Sequence, residues 1–186
     1  MRIVLSPDPI LRQVCEPVDL AEIKKLRSTA KQMAKLMYSN NGCGLAAPQV
    51  GIPKRLIVVD CNLPKEGEEP PKDPTVYINP VVTFKGGEEE TEEEGCLSIP
   101  GISIPITRYT QLTVEALDLD GKPFVVEAEG YLARALQHEL DHLDGTTMFE
   151  HLDPITRIEA FKAYDEALRN GARPGDTGDA GDSPSS

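Results

Sequence analysis

Two of the chain's three histidines lie four residues apart, in His138-Glu139-Leu140-Asp141-His142. Residues four apart share one face of an α-helix. Two imidazoles placed that way can hold a single metal ion, and the glutamate beside the first can carry a proton to or from water activated at that ion. The plainer alternative is a buried helix whose histidines only hydrogen-bond to their neighbours. The flanks predict the helix itself. Gly130 and Gly145 bracket it, and Gly145 suits a left-handed C-terminal cap. Leu132, Leu136, Leu140 and Leu143 recur at i+4 and i+3 spacings, and apart from the motif only Arg134 and Gln137 interrupt the stretch with strong polarity. A mostly buried helix is what a rigid metal site requires.

A catalytic site of the zinc type takes three protein ligands and leaves one position open. Downstream, His142-Leu143-Asp144-Gly145 continues the His-x-x-Gly of the metzincin proteases, but the next ligand of that pattern falls on Met148, and His151 comes too late. Glu150 lies closer to the helix than a downstream zincin glutamate does. Upstream, Glu94-Gly95-Cys96-Leu97-Ser98 offers a thiolate, a strong ligand, next to a glycine that lets the backbone approach closely. A small buried hydrophobe is the alternative for any lone cysteine, and it is the reading for Cys15 and Cys61. A third segment, Gly42-Cys43-Gly44-Leu45-Ala46-Ala47-Pro48-Gln49, reads either as a tight packing loop or as a loop that closes on a ligand, with Gln49 supplying an amide donor.

These three segments, in this order, resemble the peptide deformylase family. Its pattern is a Gly-x-Gly-Leu-Ala-Ala-x-Gln loop, a Glu-Gly-Cys-Leu-Ser segment and a Gln-His-Glu-x-Asp-His motif, the last present as Gln137 to His142. The resemblance runs from about Pro7 to Leu152. It implies hydrolysis of the formyl group from the N-terminal formylmethionine of newly synthesised polypeptides, with formate released. It implies that Cys96, His138 and His142 hold one divalent ion, that a hydroxide formed there attacks the formyl carbon, and that Glu139 takes the water proton and returns it to the departing amine. The Gln49 amide and the Leu97 backbone N–H are implied as donors to the tetrahedral oxygen. Ferrous iron is the metal the resemblance implies; the donor set also suits Zn2+, and Ni2+ is possible. Cys43, Gly44, Glu94, Tyr131, Arg134 and Ala135 are the expected substrate-binding residues, with Glu94 alternatively a buried partner for Arg108. Two other classes compete: an HExxH zinc peptidase acting within chains, and a non-catalytic binding module on the same fold.

The elements that must position these residues follow from periodicity and turn chemistry. Residues 20–39 predict an amphipathic helix, with Asp19 and Glu22 as its capping pair. Residues 40–51 are a loop and 55–60 a short strand. Residues 63–74 are an exposed polar loop, and 76–82 a strand bounded or kinked by Pro80. Residues 112–119 and 124–127 are two strands joined at Asp120-Gly121, and a last helix opens at Asp153-Pro154 and ends at Gly171. The six glutamates between Glu88 and Glu94 read as a solvated loop or edge. The fold class is α+β: antiparallel or mixed sheets around a buried central helix carrying the motif, plus an N-terminal and a C-terminal helix. A single catalytic domain is expected over residues 1–170, with a disordered acidic Gly/Asp/Pro/Ser tail over 171–186.

Bulk properties narrow the partners. A net charge of −12 argues against a broad basic face for nucleic acid. Four cysteines without a Cys-x-x-Cys pair point to a reduced compartment, and no targeting or membrane-spanning segment is evident, so the expected location is cytoplasmic. The expected partners are N-formylmethionyl peptides and nascent chains, with no membrane and no direct nucleic-acid site, and the chain is expected to be a monomer. Ribosome proximity stays open, but no basic docking helix is evident: Arg157, Lys162 and Arg169 of the last helix are balanced by Glu159, Asp165 and Glu166.

Overall fold

The computed structural model describes residues 1–62 and 71–178. After two short 3-10 turns the chain forms α1 (Ile23–Ser39), then β1 (Gly44–Ala46), β2 (Leu56–Val59), β3 (Thr75–Cys96), β4 (Ile99–Leu117), β5 (Pro123–Glu129), α2 (Gly130–Leu143) and α3 (Pro154–Arg169). The five strands form one sheet in the order of the sequence, each antiparallel to the next. The only parallel pairing among the described residues is an isolated bridge between Glu16 and Lys54. The class is therefore α+β, an antiparallel sheet with three helices.

β2 shows how a four-residue apolar run separates two layers. Successive side chains point to opposite faces of a strand. Ile57 and Val59 pack with Leu136, Leu140 and Leu143 of α2, whereas Leu56 and Val58 pack with Met33 and Met37 of α1. A third cluster joins Ile99, Ile104 and Ile106 of β4 to Phe149 and to Tyr164 of α3. Each such aliphatic side chain contributes on the order of 1.5–3 kcal/mol when fully buried, so α2 is held on its apolar face while its other face stays available for chemistry.

Several expectations need correction. Asp19 caps a 3-10 turn, accepting from the Ala21 N–H, and α1 begins only at Ile23. The expected strand at 76–82 is the start of a 22-residue strand, and of the two readings of the acidic run, solvated loop or edge, the second holds: it is exposed on a stretch of β3 that pairs only with β4. Glutamate disfavours strands on propensity, but the partner strand overrides this. Along β4, Ile102, Ile104, Ile106 and Arg108 alternate as buried residues, and Glu89 to Glu94 pair opposite Tyr109 to Ile104. Glu88 to Glu93 remain exposed and only Glu94 turns inward. The expected loop at 63–74 lies partly outside the described residues. So does the C-terminal tail beyond residue 178, but residues 172–178, expected to be disordered, are docked. The Ala172 N–H donates to the Ala167 carbonyl, and the Gly101 N–H donates to the Asp176 carbonyl at 2.8 Å. No helix among the described residues is long and apolar enough to cross a membrane.

Candidate metal centre

Three elements deliver the site. α2 begins at Gly130, in the left-handed region, and ends just before Gly145, also left-handed at φ 71°. A Cβ on Gly145 would lie 2.7 Å from the Arg12 carbonyl oxygen, so the cap admits no larger residue without movement. One helical turn brings His138 and His142 to the same face, their rings 5.0 Å apart between centroids. The end of β3 brings Cys96 against them. One ligand atom each from Cys96, His138 and His142 falls within 4.8 Å of the others, and Cys96 Sγ lies 3.3 Å from His142 Nε2.

The electrostatics favour a bound cation. Burial pushes the Cys96 thiol up, but the adjacent His142 and His138 imidazoles more than reverse that and bring it down to about 5. A thiolate is the form that ligates metal. His138 Nδ1 is 2.9 Å from Glu94 Oε2, which orients its other ring nitrogen toward the cysteine. Glu94, only 6% exposed, is itself fixed: Arg108 Nε and Nη2 donate to its two oxygens at 2.9 and 3.0 Å, and Arg134 Nη1 donates to Oε1 at 2.8 Å. Arg108 also donates to Asp141 Oδ2, at 2.6 Å, and His151 Nε2 shares that oxygen at 2.7 Å. His151, unsuited as a ligand by spacing, thus belongs to the network behind the motif.

Glu139 stands apart from this network. It is 4% exposed, and its Oε2 has no hydrogen-bond partner. Burial pushes its carboxyl up to about 7, against the pull of the two imidazoles. A Cβ added to Gly44 would lie 2.3 Å from Glu139 Oε1, so β1 passes directly over the carboxylate and a side chain there would displace it. Gln49 completes the arrangement. Its Oε1 accepts from the Ala46 N–H at 2.8 Å, which turns its Nε2 toward Cys96 Sγ (3.5 Å) and Ser98 Oγ (3.2 Å). The amide orientation follows from that backbone bond.

A cavity of about 210 Å³ opens beside these groups, lined among others by Cys43, Gly44, Gln49, Cys96, Leu97, Tyr131, Ala135, His138 and Glu139. Cys43 Sγ lies 3.1 Å from Tyr131 Oη on one wall. Glu94 and Arg134 line the cavity too, but their polar atoms are already engaged. Arg134 donates to the Ile106 and Glu90 carbonyls and pairs with Glu92 as well as Glu94. Arg134 was expected at the substrate, and Glu94 either there or as a buried partner for Arg108; the structure has Glu94 paired with both arginines, behind the centre. Sequence reasoning missed Ser98, Asp141, Glu92, Glu93 and residues 175–177. Pro174-Gly175 signals a turn, but no local pattern shows where a turn docks.

The comparisons with known proteins agree with this geometry. The family model described as polypeptide deformylase matches residues 1–158. A peptide deformylase of Rhizobium meliloti is 43% identical over 167 residues, covering 90% of this chain and 93% of the relative. Among solved structures, a peptide deformylase from Legionella pneumophila is 38% identical with a TM-score of 0.81, covering 91% of this chain and 95% of that one. One from Synechococcus elongatus, in complex with actinonin, is 40% identical with a TM-score of 0.78, covering 89% and 86%. A thiolate and two imidazoles converging beside a buried carboxylate, on a chain with these relatives, place it in the peptide deformylase family.

Proposed function

We propose that the chain removes the formyl group from the N-terminal formylmethionine of new polypeptides, with Cys96, His138 and His142 holding one divalent ion on the face of the motif-bearing helix α2. The observation that carries this reading is the convergence of those three ligand atoms within 4.8 Å, next to a buried carboxylate oxygen that has no partner. The donor set fits a divalent ion of the iron, nickel or zinc type, and we take ferrous iron as the native one. Such an ion, when bound, supplies Lewis acidity toward water and toward a carbonyl oxygen.

The chain's own residues do the rest. Glu139 Oε2 accepts the proton of the attacking water and returns it to the amine nitrogen as the formyl C–N bond breaks. A carboxyl raised toward neutrality suits both transfers. Gln49 Nε2, fixed through its Oε1, donates to the oxygen that gains charge, and the Leu97 backbone N–H is the second donor. Cys43, Gly44, Tyr131 and Ala135 receive the methionine side chain. The cavity, about 210 Å³, is below the roughly 300–1,000 Å³ that encloses a drug-sized ligand, which fits one blocked terminal residue better than the middle of a chain. This favours deformylation over an internal peptidase. We place the protein in the cytoplasm, where formylated chains are made, acting as a monomer over a single domain. The balanced charge of α3 gives no support to docking on ribosomal RNA through that helix.

Anaerobic purification, metal analysis and formate release from formyl-Met-Ala-Ser on one preparation test the proposal. The expected result is about one equivalent of metal, lost together with activity on chelation. No formate, even after fresh ferrous iron or nickel is added, overturns it.

A further inference from the structure

Two thiols meet beside the cavity, and neither is a ligand or a proton carrier in the proposed reaction. Cys43 stands just before β1 and Cys61 just after β2, and both are free and half-buried. The Asp60 N–H donates to the Cys43 carbonyl at 2.8 Å, which extends the antiparallel β1–β2 pairing by one step and brings Cys61 beside Cys43. Both side chains pack against the cluster under α2 that contains Ala46, Ile57 and Val59. Neighbouring strands run about 4.7–4.9 Å apart, inside the roughly 4.4–6.8 Å that a disulfide spans between Cα atoms. Cys43 also lines the cavity, so a small solute can reach its sulfur from the substrate side.

Hydrogen bonds make the pair unequal. The Cys61 thiol donates to Cys43, and Tyr131 Oη lies 3.1 Å from Cys43 Sγ on another side. With two donors aimed at it, Cys43 is the sulfur that takes the negative charge. The Cys61 bond, together with the weaker Tyr131 bond, lowers its thiol against the burial that raises it. Cys61 shifts the other way, raised by the bond it donates and by burial, and keeps its proton. Cys15 is the contrast: it is 3% exposed, and burial pushes its thiol up to about 11. A reachable thiolate beside a second thiol suits reaction with peroxide and resolution as a disulfide, whereas a buried protonated thiol is inert.

We propose that Cys43 and Cys61 form a thiol-modification site for hydroperoxides, closed by a reversible disulfide at the wall of the substrate cavity. The Cys43 thiolate attacks the peroxide. The O–O bond breaks, one oxygen stays on sulfur as a sulfenic acid, and the other leaves as water or an alcohol after taking a proton from solvent. The Cys61 sulfur then attacks the Cys43 sulfur. The S–O bond breaks, the S–S bond forms, and the oxygen leaves as water with the Cys61 proton. The two sulfurs lose two electrons and the peroxide gains them. The bridge draws Cys43 from Tyr131 and reshapes the wall that receives the methionine side chain. That last consequence rests on the deformylase reading; the thiol chemistry does not.

The test uses the full chain loaded with nickel in place of ferrous iron, so that oxidation of the metal does not enter the reading. Equimolar hydrogen peroxide is added, every cysteine is mapped by mass spectrometry, and formate release and metal content are read on the same sample. The expected product is a peptide pair joined through Cys43 and Cys61, with nickel retained. The kcat/KM for formyl-Met-Ala-Ser is expected to fall about tenfold, mainly through KM, the lower end of what a small change of shape costs in an apolar pocket. Dithiothreitol should reverse both changes. Cys61→Ala lacks the second thiol and is expected to accumulate a dimedone-reactive sulfenic acid at Cys43 without a bridge. A Cys43 that stays a free thiol in both proteins overturns the site, and so does modification of Cys15 or Cys96 ahead of it. A bridge that leaves KM unmoved overturns its role at the cavity wall. Absence of formate before any peroxide is added, with nickel bound, would instead overturn the deformylase reading.

Discussion

The two sides of the cavity are built on opposite principles. On the helix side, His138 and His142 stand on α2, and the histidine ring is braced through Glu94 to Arg108 and Arg134, all three nearly fully buried. On the tail side, Glu93 and Asp176 are exposed and take part in no ion pair among the described residues, and the segment is held by backbone bonds and close glycine packing. Buried charges must be satisfied, so the helix side is a closed set in which each group depends on the next. Exposed charges are screened and act weakly, so no group on the tail side depends on another in this way. The difference separates a wall held by mutually dependent buried charges from one held by backbone bonds and close packing.

Perturbing each side in turn would break or sharpen that contrast. The largest effect is expected at Glu139. Glu139→Gln removes the proton carrier but none of the ligands, and should slow formate release by about 10²–10⁴-fold while metal content, read on the same sample, stays normal. Loss of metal in that variant would make Glu139 a structural support of the centre. Gln49→Ala should cost about 10²–10³-fold, again with metal retained, because it deletes one donor to the developing oxyanion.

Next comes the brace. Arg108→Met leaves Glu94 and Asp141 without their shared cation, and denaturant unfolding should show a loss of about 3–5 kcal/mol, the range for breaking a buried pair from one side. An unchanged midpoint would show that Arg134 alone suffices. The brace also has a pH signature. Burial pushes the Glu94 carboxyl up, but the His138 and Arg108 contacts outweigh it and hold it well below the ordinary carboxylate range. A carboxyl depressed in the folded state adds stability that is fully present above its unfolded pKa, near 4.3, and is lost as pH falls toward the folded value. Unfolding free energy should therefore drop as the pH is lowered below about 4, and Glu94→Gln should start less stable but show a shallower acid slope. The smallest effect belongs to the tail, where Asp176→Asn keeps an acceptor for the Arg173 N–H and should change the unfolding free energy by no more than about 0.5 kcal/mol in the same denaturant titration.

How much of this was legible in the sequence depends on how local each signal is. The α2 helix was legible because leucines at i+3 and i+4, glycine at the cap and the histidine spacing all follow from one helical period. Arg108 could be named as an alternative partner for Glu94, because a buried carboxylate needs a cation. The long β3–β4 pair was not legible. Six glutamates read as solvated, and only pairing with the alternating isoleucines of β4 keeps that stretch extended. The docking of residues 172–178 was hidden for the same reason, since a glycine and aspartate turn carries no mark of the surface it meets.

The sequence by itself determined the chemistry. Which residue types could ligate, carry a proton or donate to an oxygen, and which two shared a helix face, follow from spacing and side-chain properties alone. The tertiary structure decided everything that depends on distance across the chain. It brought the Cys96 sulfur within 3.3 Å of a histidine 46 positions away, joined Arg134 to the Glu94 brace, and set the tail as a wall of the cavity. Helical period is fixed by bonds four residues apart, whereas strand pairing and docking are fixed by burial between segments that no local pattern links.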